Sequence, residues 1–206
     1  MASKRLLLGL GFVVLAGLVL SGLHPYDRLT WWMEVAPVLL AAPVLWATYR
    51  RFPLTRLLYL LITLHALILI LGGAYTYARV PLGFWLQRVF DMGRNPYDRI
   101  GHFAQGFVPA LIAREIMLRG GYVTGTRMAA FLSGCVALAI SAFYEFIEWW
   151  AALIMGQGAE MFLGTQGDPW DTQWDMFMAM IGAIVALTTL ARLQDRQMAS
   201  LREREP

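Results

Sequence analysis

The chain has 206 residues, of which 58% are hydrophobic and 15% are charged, and its formal net charge is +3. This composition is too apolar for an ordinary water-soluble domain. In so apolar a chain the small basic excess is not a signal for nucleic acid, which we exclude as a partner. The single cysteine, Cys135, excludes an intramolecular disulfide and a multi-thiolate metal site.

Apolar runs long enough to cross a bilayer recur along the chain. They predict an all-α polytopic membrane protein, a bundle of about six transmembrane helices forming a single integral membrane domain over residues 1–206. The predicted spans cover residues 6–20, 34–49, 57–75, 98–118, 129–152 and 174–193. The first span resembles a signal peptide, but no small-x-small cleavage site follows it, so we interpret it as a retained helix. Pro37 and Pro43 predict a kink in the second span.

A further short helix is predicted over residues 80–92, between the third and fourth spans. Pro81 can open a helix, and apolar residues then alternate with Gln87, Arg88 and Asp91. This pattern is typical of a helix that lies on the membrane surface. Its role is left open between a simple connector and a lid.

The distribution of basic and tryptophan residues predicts the orientation. With the N-terminus inside, 12 of the 17 Lys and Arg residues fall in cytoplasmic segments. Seven of the eight Trp residues then fall at the opposite boundary, where indole rings favour the head-group region. Both patterns indicate an N-in, C-in topology.

Acidic residues gather at the outer ends of three predicted spans. They form pairs three or four residues apart, which share one face of a helix: Asp98 with His102, Glu145 with Glu148, and Asp171 with Asp175. A carboxylate near the bilayer centre costs about 2.5–3.5 kcal/mol, and less near the interface, so the pairs need a cation. Arg88, Arg94 or Arg99 is one source of that charge, and a metal ion is the other.

One histidine among several carboxylates suits a divalent cation such as Zn, Mg, Mn, Fe or Ca. The predicted ligands are His102, Glu145, Glu148, Asp171 and Asp175. The sequence has no HExxH, CxxC or EF-hand motif, so the identity of the metal stays open. Two alternatives also stay open: an acid site based on protons and hydrogen bonds with Arg99 as counter-ion, and helix caps or packing residues without a shared function.

Three classes of function remain open. The first is a hydrolase that acts on a lipid head group or a lipid-linked envelope precursor, with Glu145, His102 and Asp98 as catalytic groups and Arg99 and Asp168 binding the substrate. The second is a transporter of protons, cations or small solutes, although the inner halves of the spans offer few polar residues besides His65. The third is a non-catalytic membrane protein with a structural metal or polar site. The sequence leaves the oligomeric state open.

Three motifs carry a resemblance to a known family. They are Asp98-Arg99-Ile100-Gly101-His102-Phe103, the segment Glu145-Phe146-Ile147-Glu148-Trp149-Trp150, and the acid-rich stretch over residues 164–176. Together they resemble the YjdF-like family of bacterial inner-membrane proteins, which implies a multi-pass protein of that membrane. The family has no established activity, so the resemblance implies no reaction.

A more remote likeness is to the VanZ-like family. Asp98, Arg99 and His102 match its acid-basic-x-x-His element. Glu148 stands where that family has glutamine, and Ala179 stands where it has asparagine. These differences make the site more acidic and put a shared set of ligands in doubt.

Overall fold

The computed structural model describes residues 2–156 and 164–203, and within them the chain is helical, without strands. The helices are α1 (Lys4–Leu23), α2 (Arg28–Thr48), α3 (Arg56–Tyr75), α4 (Pro81–Val89), α5 (Tyr97–Arg119), α6 (Thr126–Met155), α7 (Asp171–Thr189) and α8 (Ala191–Arg202). A 3-10 turn, Tyr77–Arg79, precedes α4. The predicted all-α class is confirmed, and α4 lies in the segment for which a short helix is predicted.

Local capping chemistry explains where several helices begin. The Ser3 side chain accepts a hydrogen bond from the Leu6 amide at 3.2 Å and caps α1. The Asp27 carboxylate accepts one from the Thr30 amide at 2.7 Å and caps α2. This cap starts α2 before the predicted boundary at residue 34. Pro81 opens α4 at its first turn, where its missing amide proton costs nothing.

Among the described residues, four helices are long and apolar enough to cross a membrane by themselves: α1, α2, α3 and α6. The bent pair α7 and α8 makes a fifth span if it is counted as one. The central helix α5 has 23 residues, or about 35 Å at 1.5 Å per residue, but charged residues lower its hydropathy. It packs against α3, α6 and α7, so protein rather than lipid surrounds its charges.

The last predicted span differs from the structure at its inner end. The prediction continues to residue 193, but α7 ends at Thr189 and α8 turns away by 61°. The turn brings Gln194 into the protein, where its amide donates to the Leu111 carbonyl at 2.7 Å. This tertiary hydrogen bond, rather than a local helix breaker, accounts for the bend.

Helices α5 and α7 touch through their backbones. A Cβ atom at Gly106 would lie 1.8 Å from the Ala179 carbonyl oxygen, and one at Gly182 would lie 2.1 Å from the Phe103 carbonyl oxygen. Only glycine fits at these positions, as in other closely packed membrane helices. The close approach brings the outer end of α5 next to the outer end of α7.

A buried polar cluster lies at the opposite end of α5, which the distribution of Lys and Arg predicts to be cytoplasmic. We call it the inner cluster: Thr55, Arg114, Glu115, Arg119, Gln194 and Asp195. Glu115 Oε1 accepts from the Thr55 amide and from Arg119, both at 2.9 Å, and its Oε2 accepts from the Thr55 hydroxyl at 2.7 Å. Arg114 donates to Asp195 at 2.7 Å and to Gln194 at 3.1 Å. Of these six residues, Arg114 and Glu115 fall within a predicted span, residues 98–118, and the other four lie just outside the predicted boundaries.

Candidate functional site

The acids at the outer end of the bundle converge. Five side chains from three helices lie there, and we call them the outer acid cluster: Asp98 and His102 from α5, Glu145 from α6, and Asp171 and Asp175 from α7. All five residues are buried. The spacing of four residues within α5 and within α7 directs each pair to one side of its helix, as the sequence predicts.

His102 lies at the centre of the outer acid cluster. Its Nε2 atom is 3.6 Å from Asp98 Oδ1 and 3.9 Å from Asp175 Oδ2, and its Nδ1 atom is 3.8 Å from Glu145 Oε1. These separations are too long for direct hydrogen bonds. Nδ1 lies 3.0 Å from Gln105 Oε1. A proton on Nδ1, donated to Gln105, leaves the Nε2 lone pair facing Asp98 and Asp175.

Asp98, His102 and Asp175 have the geometry of a cation site. One ligand atom from each lies within 4.8 Å of the others, and all three residues are buried. Calcium ligands lie about 2.3–2.6 Å from the ion, so two of them are separated by up to about 5 Å. Tetrahedral zinc ligands at about 2.0–2.2 Å from the ion lie about 3.4 Å apart, so zinc would require the triad to contract.

Three carboxylate oxygens in or beside this triad lack a hydrogen-bond partner. Asp98 Oδ2, Asp175 Oδ1 and Glu145 Oε1 are buried and have no hydrogen-bond donor among the described residues. Leaving such an atom unsatisfied costs about 1–3 kcal/mol, and more when it is charged. A cation, a proton or a bound water would remove this cost.

The predicted ligands do not all join the triad. Glu145 lies beside it, in contact distance of His102, whereas Asp171 forms an ion pair with Arg94. Glu148 is half-buried and lines a cavity next to the triad. Asp98, which the sequence suggests as a catalytic group that could also orient or ligate with His102, lies inside the triad.

Two arginines lie on the outer side of the acids. Arg94 pairs with Asp171, donates to the Gly164 carbonyl at 2.9 Å, and lies 3.7 Å from Asp98. Arg99 donates to Asp168 at 3.1 Å. The predicted substrate-binding residues Arg99 and Asp168 are therefore each other's partners. With Arg94 they line a small outer pocket of about 480 Å³.

A cavity of about 1350 Å³ extends from the acids towards the inner end of the bundle, between α1, α2, α3, α5 and α6. Along α2 it runs from Glu34 to Ala47, or about 20 Å at 1.5 Å per residue. That length is about two-thirds of the ~30 Å hydrocarbon core of a bilayer. Its polar end is lined by Glu34, Tyr77, Asp98, His102, Tyr144 and Glu148. His65 lies along the wall, with an Nε2 atom that has no hydrogen-bond partner among the described residues.

Glu34 is a site residue that the sequence analysis missed. It is 4% exposed, and its Oε2 atom accepts a long hydrogen bond of 3.4 Å from the Tyr144 hydroxyl. The available signal was a lone acid in an otherwise apolar run, three residues after Trp31. The predicted second span begins at this residue, so the sequence does not predict its burial.

Carboxylates outnumber arginines in and around the outer acid cluster. Seven described carboxylates form or adjoin it: Glu34, Asp98, Glu145, Glu148, Asp168, Asp171 and Asp175. Arg94 and Arg99 are the arginines paired with them. Further protons or cations are needed to balance such a group in a low-dielectric environment.

Comparison with known proteins agrees with the motifs. The family described as "Predicted membrane protein (DUF2238)" matches residues 6–196. The chain is 61% identical over 181 residues to "Inner membrane protein YjdF" of Escherichia coli (strain K12), and the match covers 88% of this chain and 87% of that protein. No solved structure gives a significant match. The resemblance to the VanZ-like family stays a prediction.

The apolar helices and the inner-membrane relative together identify a multi-pass protein of the bacterial inner membrane. Both the family match and the identity extend over most of the chain. The chain therefore belongs to the YjdF-like family of bacterial inner-membrane proteins.

Proposed function

We propose that the protein is a metal-dependent hydrolase that acts on a lipid head group or a lipid-linked envelope precursor. One observation carries the proposal. The ligand atoms of Asp98, His102 and Asp175 lie within 4.8 Å of one another, and Asp98 and His102 also line the polar end of an apolar cavity. A cation held there would meet a substrate whose chain occupies the cavity.

The donor set suits a hard or borderline divalent cation, because it has two carboxylates and one imidazole. Such an ion would offset the excess of buried carboxylates and lower the pKa of a bound water. Glu145, with its unpartnered Oε1 atom beside His102, is placed to accept the proton of that water. The oxygen of the water would bond to the phosphorus or acyl carbon, and the displaced oxygen would leave with a proton from Glu145.

The arginines suit the anionic part of such a substrate. Arg94 and Arg99 line the outer pocket, and the Nε atom of each is buried without a hydrogen-bond acceptor among the described residues. A guanidinium group can hold two oxygens of one phosphate. Arg94 also contacts Asp98 of the triad, so a phosphate held by Arg94 would lie next to the cation.

The structure favours this function over a purely structural metal site. Helices α5 and α7 are already joined through Gly106 and Gly182, so a metal staple between them is not required. A structural site is also normally closed, whereas this triad adjoins a large cavity. Transport would need a polar path to the inner end, but the cavity wall below His65 is mostly apolar.

The test is elemental analysis of the purified protein beside a hydrolysis assay on phospholipids. We expect about one divalent ion per chain, and loss of both metal and hydrolysis in Asp98→Asn and Asp175→Asn, because each removes a charged ligand. Asp91→Asn is the matched control, since Asp91 is exposed and is not part of the triad. Unchanged metal content in Asp175→Asn would refute the metal site. A retained metal with no hydrolysis of any lipid would refute the enzyme.

A further inference from the structure

The polar end of the large cavity has a one-sided charge. Glu34, Asp98 and Glu148 line it, together with the hydroxyl-bearing Tyr77 and Tyr144. The basic residues on the cavity wall, Lys4 and Arg50, lie at the start of α1 and beyond the end of α2, at the inner end. The three carboxylates therefore lack a lysine or arginine partner within the cavity wall.

The partners that these acids have do not balance their charge. Glu34 receives the Tyr144 hydroxyl at 3.4 Å, and a neutral phenol leaves the carboxylate charge in place. Asp98 Oδ2 has no hydrogen-bond donor among the described residues, although Arg94 lies 3.7 Å away. Glu34 and Glu148 each feel the charge of Asp98, so the three acids share one neighbourhood. A cationic hydrogen-bond donor would balance the charge of carboxylates in this position.

The rest of the cavity identifies the kind of molecule that carries this donor. Its wall is mostly aliphatic, formed by residues such as Leu18, Val38 and Leu69, and it follows α2 over about 20 Å. A bare metal ion would leave this apolar volume without an occupant. A hydrocarbon chain would fill this volume. If that chain ends in a cationic group, the cation would balance the carboxylates at the polar end while the chain contacts the apolar wall.

We infer that the cavity binds a lipid whose head group carries a primary ammonium, with the ammonium between Glu34 and Glu148 and the chain along α2. An ammonium donates three hydrogen bonds, and charge-assisted bonds to carboxylates are the stronger kind. The inference rests on the proposed function and gives it a substrate class. Asp98 borders both the ammonium site and the triad, so the bond to be hydrolysed lies close to the ammonium.

Head-group selectivity tests this directly. The full chain, purified in detergent, is titrated with phosphatidylethanolamine, phosphatidylcholine and phosphatidylglycerol of identical chains, and the bound lipid is counted by native mass spectrometry. We expect phosphatidylethanolamine to bind roughly tenfold more tightly than phosphatidylglycerol. Phosphatidylcholine should bind less well than phosphatidylethanolamine, because its quaternary ammonium donates no hydrogen bond. Equal binding of the three lipids, or a preference for phosphatidylglycerol, overturns the inference.

Variants separate the two parts of the site. Glu34→Gln should lower phosphatidylethanolamine affinity roughly tenfold and leave phosphatidylglycerol unchanged. Ala41→Phe, on the cavity wall, should weaken all three lipids, because it fills the space for the chain. Asp91→Asn, the control, should change neither the head-group selectivity nor the affinity for any of the three lipids. An unchanged selectivity in folded Glu34→Gln overturns the inference, and if that variant does not fold, the comparison of lipids on the unaltered chain decides.

Metal analysis of the same samples distinguishes this inference from the proposed function. Glu34→Gln should keep its divalent ion, since Glu34 is not part of the triad. Asp175→Asn should lose the ion and keep its preference for phosphatidylethanolamine, since Asp175 does not line the cavity. Loss of selectivity with retained metal thus concerns the lipid site alone, and the absence of metal from the native protein concerns the triad alone.

Discussion

The inner cluster and the outer end of the same bundle differ in how their buried acids are paired with arginines and hydrogen-bond donors. In the inner cluster two arginines face two acids, and both oxygens of Glu115 accept hydrogen bonds. At the outer end seven carboxylates face two arginines, and Asp175 Oδ1 and Glu145 Oε1 have no donor among the described residues. Helix α5 contributes to both regions, so its position in the bundle does not explain the difference.

The contrast shows which property of a buried charge points to function. Burial alone does not, because Glu115 is 0% exposed and Asp175 is 2% exposed. The presence or absence of hydrogen-bond partners does point to function. A fully hydrogen-bonded network specifies how helices pack, whereas buried polar atoms without partners indicate a place where a ligand could bind. The inner cluster therefore fixes α8 against α5, and the outer acid cluster is the region for which we propose a ligand.

Neutralising one acid in each region should have opposite effects on stability, and this is the largest expected difference. Glu115→Gln should cost about 3–5 kcal/mol, because it leaves buried arginine charge without its partner. Asp175→Asn, in protein treated with a chelator, should raise the stability by about 1 kcal/mol, because it removes repulsion from neighbouring carboxylates. The measurement is unfolding of both variants and the parent chain in one detergent.

The response to an added divalent ion is a second test of the difference between the two regions. Adding a divalent ion should raise the unfolding temperature of the parent chain and of Glu115→Gln by similar amounts, because binding to the native state stabilises it. Asp175→Asn should not respond. If Asp175→Asn is destabilised in chelator as strongly as Glu115→Gln, the outer acids are a structural network like the inner one, and the contrast fails.

The helix contact that joins the two regions gives an intermediate effect. Gly106→Ala should cost about 1–3 kcal/mol, since its Cβ would lie 1.8 Å from the Ala179 carbonyl oxygen and would force α5 and α7 apart. It should also weaken metal binding, because Asp98 and Asp175 lie on these two helices. Gly134→Ala on α6 is the matched control. No atom lies within 4 Å of its added Cβ, and alanine is the better helix former. Equal behaviour of the two variants would show that α5 and α7 are not held by this contact.

Much of the helical fold was predictable, because apolar runs and proline positions report on local structure and on lipid contact. The signal weakens for α5, which holds its charges against other helices rather than lipid, and its hydropathy falls below that of an independent span. The bend between α7 and α8 could not be predicted, since it follows from Gln194 docking on Leu111, a contact between residues far apart in sequence.

The outer acid cluster was predictable for a similar reason. Spacings of four residues and a common membrane depth indicated that Asp98, His102 and Asp175 would converge, and the structure confirms that these residues come together. Spacing carried no information about Glu34, which has no second acid on α2 within one turn, and so the polar end of the cavity was missed. Nor did it reveal that Asp171 would pair with Arg94.

The smallest expected effect concerns an acid outside both regions, and it provides a reference for an ordinary, well-partnered carboxylate. Asp27 caps α2, and the hydrogen bond from the Thr30 amide lowers the pKa of its carboxyl below the usual 3.8. Because the folded-state pKa is depressed, its contribution to stability is present above the ordinary pKa and is lost as the pH falls through the lower folded-state value.

Asp27→Ala should cost about 1 kcal/mol at pH 7. Asp27→Ser should retain most of the cap, since a hydroxyl also accepts this bond, and should lose the dependence on pH in the acid range. Unfolding of the three chains between about pH 3 and pH 7 measures this. An equal pH dependence in Asp27→Ser and the parent chain would show that other carboxylates, with the outer acid cluster first among them, dominate the response to acid.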